Sequence, residues 1–166
     1  MDDSNNLEKS KIDLKKNSTI PNNVLDLVIM GLDISEKRCG VAIYKKNNNT
    51  PLKTIKKSKD INVFEEIEKI IKKNDVQLLV IGISLRGDNS LSSRFHFIKH
   101  TAHGLYQKTG IRYTLVNEFQ STKLAKKYKD KYPVDAMAAK VILDRFLKSV
   151  KKNKIEKNVE PDAQEI

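Results

Sequence analysis

Apolar and polar residues change rhythm several times along the chain, and each change predicts an element. Leu27–Tyr44 reads LVIMGLDISEKRCGVAIY. Two runs rich in Val, Ile and Leu flank the polar Ser35–Arg38, which predicts a β-hairpin. Lys45–Thr50 (KKNNNT) reads as a turn, and Pro51–Lys56 as a weaker third strand. Asn62 then opens a helix, with Glu65 completing a box-like cap. Val63, Ile67, Ile70 and Ile71 keep helical spacing, and Asn74 is its stop. Val76–Ile83 (VQLLVIGI) is almost wholly apolar, the pattern of a strand covered on both faces. A polar loop, Ser84–Ser90, leads to a helix over Leu91–Lys108, whose buried stripe is Leu91, Phe95, Ile98, Ala102 and Leu105. Gly110 is its C-terminal glycine. Ile111–Val116 is a further strand, Gln120–Lys131 a lysine-rich helix or lid, and Val134 to about Val150 the final helix. The order β-β-β-α-β-α-β-α predicts an α/β fold with a mixed five-stranded sheet and helices on its faces.

Outside these elements the rhythm is lost. Residues 1–24 are polar and aperiodic, which predicts a disordered N-terminal extension. Residues 151–166 read as a charged, disordered tail. The folded domain is therefore expected over residues 25–150. The 166 residues leave room for one domain with a proper core. No apolar run is long enough to span a membrane, and residues 1–17 lack a signal peptide's basic start and apolar centre. The single cysteine, Cys39, excludes an internal disulfide and a cysteine-based zinc site. A reducing, cytoplasmic location is expected. The net charge of +11 points to a polyanionic partner, although lysine-rich composition supplies part of it.

Three carboxylates fall at the ends of apolar elements: Asp33 on the first strand, Glu118 after the last strand, and Asp135 opening the last helix. Each has an ordinary explanation, as a turn residue, a strand-end acid and a first-turn helix acid. Taken together they suggest a site. Asp135 shares a helix face with Ala138, Ala139, Ile142 and Phe146, so it should face the sheet. Three convergent carboxylates are hard oxygen ligands, suited to Mg²⁺ or Mn²⁺ rather than zinc. Two such ions about 3.5–4 Å apart serve phosphodiester cleavage in known enzymes. His96, His100 and His103 lie on one helix at spacings that could bind metal, but no acid or cysteine partner accompanies them, and they read as surface residues.

GLDISEKRCGVAI resembles the G-[LI]-D-x-G-x-K-R-x-G-V-A motif of the YqgF/RuvX family, pre-16S rRNA nucleases also described as Holliday junction resolvase-like. VIGISLRGDNS is similar to its V-[VI]-G-L-P-x-x-x-D-G loop. Asn117–Thr122 resembles its D-E-R-x-[ST]-[ST] segment, and Val134–Ala139 its [VK]-D-x-x-A-A. The four motifs run in order from Val28 to Leu147. Ser35, Ser84, Asn117 and Phe119 depart from the family pattern, the last two beside the expected site. The resemblance implies an RNase H-like fold, with Asp33, Glu118 and Asp135 as catalytic residues and metal ligands. It implies that Lys37 and Arg38 face the site. Arg86 and Arg94 lie near the same sheet end and join them as candidate nucleic-acid contacts, with Lys123, Lys126 and Lys127 as a basic rim.

The function this implies is a Mg²⁺- or Mn²⁺-dependent endonuclease trimming the 5′ end of pre-16S rRNA in ribosome biogenesis. Resolution of four-way DNA junctions is the alternative within the enzyme class. A non-catalytic RNA- or ribosome-binding module is the alternative outside it. An actin/Hsp70-like ATP-binding domain also opens with a G-[LI]-D hairpin, but this chain is too short for two such lobes. The expected partner is nucleic acid, precursor rRNA before branched DNA. The expected state is a monomer or weak homodimer.

Overall fold

A computed structural model describes residues 23–83, 93–117 and 132–164. A single 3-10 turn, Val24–Asp26, enters β1 (Ile29–Ile34). Then follow β2 (Arg38–Lys45), β3 (Asn48–Lys56), α1 (Val63–Lys73), β4 (Leu78–Ile83), α2 (Ser93–Thr109), β5 (Arg112–Asn117) and α3 (Val134–Gln164). The sheet order is β3-β2-β1-β4-β5. β1, β2 and β3 form an antiparallel meander, while β1–β4 and β4–β5 pair in parallel. The sheet is therefore mixed and five-stranded, as the pattern of elements predicts.

Helices cover both faces. Met30, Leu32 and Ile34 of β1 point into one core with Ile67, Ile70 and Ile71 of α1 and Ile98, Ala102 and Leu105 of α2. Ile29 points the other way, into a core with Ala139, Ile142, Leu143 and Phe146 of α3. β1 and β4 are buried on both sides, which explains their unbroken apolar runs. α1 starts where Asn62 accepts from the Glu65 amide at 3.3 Å, and α2 stops before Gly110 at φ +72°.

Three boundaries differ from expectation. The β2–β3 turn is tight: Lys46 and Asn47 both take positive φ (50° and 67°), so the strands reach Lys45 and Asn48. Asparagine tolerates that region, and two such residues close a hairpin with matching twist. β3 reads weakly because it is an edge strand; it carries Pro51, and a bulge opposite Val41 and Ala42 pushes Leu52 into solvent. The last helix does not end near Val150. Among the described side chains Val150 is its last core residue, but the backbone stays helical to Gln164 where charge suggested a disordered tail. Lys and Glu are good helix formers, and extending a packed helix avoids the cost of nucleation. Arg86, Glu118, the 120–131 segment and the N-terminal extension before residue 23 lie outside the described residues. Among the described residues no helix is long and apolar enough to cross a membrane.

Candidate active site

The parallel strands β1, β4 and β5 end together, at Ile34, Ile83 and Asn117. In open α/β sheets the carboxyl ends of strands are where ligands bind, because loops leave there. Asp33 is the last residue but one of β1 and the least buried residue of that strand, though its side chain is only 10% exposed. Across the hairpin it pairs with Gly40.

Gly40 brings the second acid in. A Cβ there would overlap the backbone carbonyl of Asp135 and stand 3.0 Å from the Ala136 nitrogen. The first turn of α3 therefore rests directly on β2, at the register position opposite Asp33. Gly31 repeats the arrangement one turn later: a Cβ there would lie 2.6 Å from Leu143 Cγ and 2.8 Å from the Ala139 carbonyl oxygen. Ala138 and Ala139 are buried along the same helix face. Small residues on helix and strand together let α3 approach closely enough for Asp135, 26% exposed, to share a site with Asp33.

Two arginines meet these acids. Arg38 Nε, on β2, lies 3.6 Å from Asp135 Oδ2, and Arg94 Nη2, from α2 in the opposite layer, lies 3.6 Å from Asp33 Oδ1. Arg94 also donates to the Ile34 carbonyl at 3.5 Å. Both arginines are about half exposed at their side chains. They are thus ion pairs at the edge of water, loose enough to yield to a stronger cation or to a phosphate. Cys39, next to Gly40 but buried in the core on the α1 and α2 side of the sheet, has a thiol pKa pushed well up by burial and then by the carboxylates of Asp33 and Asp135.

Lys37, Arg38 and Arg94 line one open groove of about 680 Å³ with Ser35, Glu36, Lys56 and Lys57. The structure thus brings together Asp33 with Asp135, and Lys37 with Arg38 and Arg94. Glu118 and Arg86 belong to segments that are not described, as do Lys123, Lys126 and Lys127. Among the described residues no three acid, histidine or cysteine side chains form a metal-binding group. The histidines of α2 are exposed, and His103 stacks on Tyr106. Sequence reasoning missed Lys56 and Lys57. The signal was the cationic run at the end of the third strand, which composition alone made ordinary.

A mixed sheet in this order, with one acid at the end of its first strand and another at the start of its last helix, defines an RNase H-like α/β protein. The chain belongs to the RuvX family, described as Holliday junction resolvase, which matches residues 27–149. A Mycoplasma mobile protein named "Putative pre-16S rRNA nuclease" is 31% identical over 129 residues, 71% of this chain and 90% of that protein. A Carboxydothermus hydrogenoformans protein of the same name is 32% identical over 136 residues, 75% of this chain and 99% of its own length. Among solved structures, Thermus thermophilus RuvC in complex with Holliday junction substrate shares the fold. Its TM-score is 0.50 at 10% identity, covering 74% of this chain and 96% of that one.

Proposed function

We propose that this chain is a divalent-metal-dependent endonuclease that cleaves phosphodiester bonds in nucleic acid, acting at the 5′ end of precursor 16S rRNA. The observation that carries the reading is the contact of Gly40 with the start of α3, which sets Asp135 beside Asp33 at the carboxyl end of the parallel strands. The family match and the names of its relatives support the chemistry and the RNA substrate.

The donor set fits the cation. Two carboxylates without histidine or thiolate donors suit Mg²⁺ or Mn²⁺. Glu118 is the third ligand in this reading. It follows Asn117 directly, and Val116 packs on the same α3-facing core as Ile29 of β1. A divalent cation held there supplies Lewis acidity toward a phosphoryl oxygen and lowers the pKa of an attacking water. The chain itself supplies the rest. Arg38 and Arg94 exchange their carboxylate partners for phosphate oxygens, and Lys37 adds a third cation at the mouth. Asn117 contributes no charge where the family pattern has an acid, so the negative field of the site rests on fewer groups.

The test is incubation of the protein with labelled precursor rRNA and with a four-way DNA junction, in Mg²⁺, Mn²⁺ or chelator. Metal-dependent cleavage of the RNA is expected. Cleavage that persists in chelator refutes the metal requirement. Cleavage of the junction alone makes the protein a resolvase, the reading favoured by the family description. Binding without cleavage of either leaves the non-catalytic module.

A further inference from the structure

We infer that the bound nucleic-acid strand leaves the carboxylates across the end of the β2–β3 ribbon, with its phosphates held by Lys56 and Lys57. This rests on the nuclease reading above and adds to it the path of the substrate and two contact residues.

The ladder gives the first reason. Arg38 stands directly opposite Lys56 in the antiparallel β2–β3 pair. Like charges placed opposite each other destabilise a sheet. One residue on, the Lys57 amide donates to the Lys37 carbonyl at 2.8 Å, which fixes a second pair of cations side by side. Lys37, Arg38, Lys56 and Lys57 thus all line the rim of one concave surface.

Neutralisation gives the second reason. Elsewhere Lys53 and Lys69 meet Glu66, Lys72 and Lys108 meet Glu68, and Lys140 meets Asp144, while Lys45, Lys46, Lys59, Lys73, Lys99 and Lys148 are scattered over the surface without an ion pair among the described residues. What distinguishes Lys37, Lys56 and Lys57 is that they lie unpaired together in one groove. Among the described residues no carboxylate lies within ion-pair distance of Lys37, Lys56 or Lys57. Among the described residues Glu36 is the one acid lining the groove, and it is exposed. A surface that concentrates cations, leaves its three lysines without an ion pair and adjoins the carboxylates of Asp33 and Asp135 through Arg94 and Arg38 is shaped for a chain of phosphates. Lysine serves here as a sequence-independent point charge, so the track positions the strand and reads no bases.

The experiment uses the full chain carrying Asp33→Asn, so that binding is measured without cleavage. Affinity for a labelled RNA oligonucleotide is titrated between 0.05 and 0.3 M salt, chosen as roughly the range where counterion release dominates. Lys56→Ala and Lys57→Ala are each expected to lower the log–log salt slope by about 0.8. At about 0.1 M salt, one decade below the 1 M reference, that slope change weakens binding roughly sixfold. Lys148→Ala, an exposed lysine of α3 away from the groove, is the charge-matched control. Thermal melting confirms that each variant folds. If all three variants lose affinity alike, net charge alone acts and the track is refuted. If the two groove variants match the unsubstituted affinity, the strand runs elsewhere. In the active protein, the groove variants should raise KM and leave kcat at saturation within about twofold, the pattern of lost uniform binding. A failure of cleavage in every form would refute the nuclease reading while leaving the binding result standing.

Discussion

Replacing Gly40 with alanine tests the geometry that joins the two acids. The added methyl would overlap the Asp135 carbonyl and meet the Ala136 nitrogen at 3.0 Å. Both are backbone atoms of the first turn of α3, so no side-chain rotation relieves the clash. Overpacking costs about 1–3 kcal/mol, and a backbone-to-backbone clash belongs in the upper half of that range. For a domain of this size each kcal/mol shifts Tm by roughly 2–4 °C, so a fall of about 4–12 °C is expected. Activity should fall further than stability. The helix relieves the clash by moving its first turn away from β2, and a misplacement of about 1 Å at a catalytic group costs on the order of a hundredfold in rate. Gly104→Ala is the contrast. Its methyl would meet only the Phe64 ring edge, at 3.2 Å, in the interior of α2. Alanine is favoured there by about 1 kcal/mol, so the change should be neutral or slightly stabilising. The measurements are thermal melts and initial cleavage rates of both variants beside the parent. A Gly40→Ala protein that melts and cleaves like the parent would refute the close-contact argument and, with it, the reason for joining Asp135 to Asp33.

Asp33→Asn should abolish cleavage, with a loss of several kcal/mol of transition-state stabilisation, while binding survives; paired cleavage and melting curves with and without Mg²⁺ decide it. Without metal, that variant should melt no lower than the parent, because relief of the repulsion from Asp135 offsets the loss of the loose, half-exposed Arg94 pair, worth about 0–1 kcal/mol. Asn62→Ala removes the acceptor for the Glu65 amide and should cost about 1 kcal/mol, read as a shifted denaturation midpoint at unchanged m-value. Cys39 should resist thiol reagents in the folded protein and react on unfolding. Its folded pKa is raised, so its contribution to stability is whole below the ordinary thiol value of about 8.5. That contribution is lost as pH climbs toward the folded value, and Cys39→Ala should flatten the alkaline limb of stability against pH.

Much of this fold is legible in the chain because burial differs so sharply between elements. β4 announces itself as a strand covered on both faces, and α1 carries its cap, its acidic first turn and its basic last turn in plain sequence. Asp33 stands out because an acid interrupts an otherwise buried strand. The β2–β3 turn was less readable, since KKNNNT offers several places to turn and only backbone φ selects Lys46 and Asn47. The end of α3 was less readable still: charge says where burial stops, not where helix stops. Gly40 carried no local signal of its contact, because the atoms it must avoid lie almost a hundred residues away. Lys56 and Lys57 were hidden by the abundance of lysine around them; only their place beside Lys37 and Arg38 in one groove sets them apart.

The sheet order also dictates when the site comes into being. β1, β2 and β3 are consecutive and pair locally, so they can form as soon as they exist. β4 and β5 join by parallel pairings that close long loops, a slower process. α3 comes last in the chain and is the element that carries Asp135 to Asp33. The two acids are contributed by the opening and closing stretches of the domain. A chain lacking its final helix, whether nascent or truncated, can hold the hairpin and its row of cations but has only half of the acid pair. On the proposed mechanism, the ability to hold nucleic acid would precede the ability to cut it, and docking of the last helix would be the step that arms the enzyme.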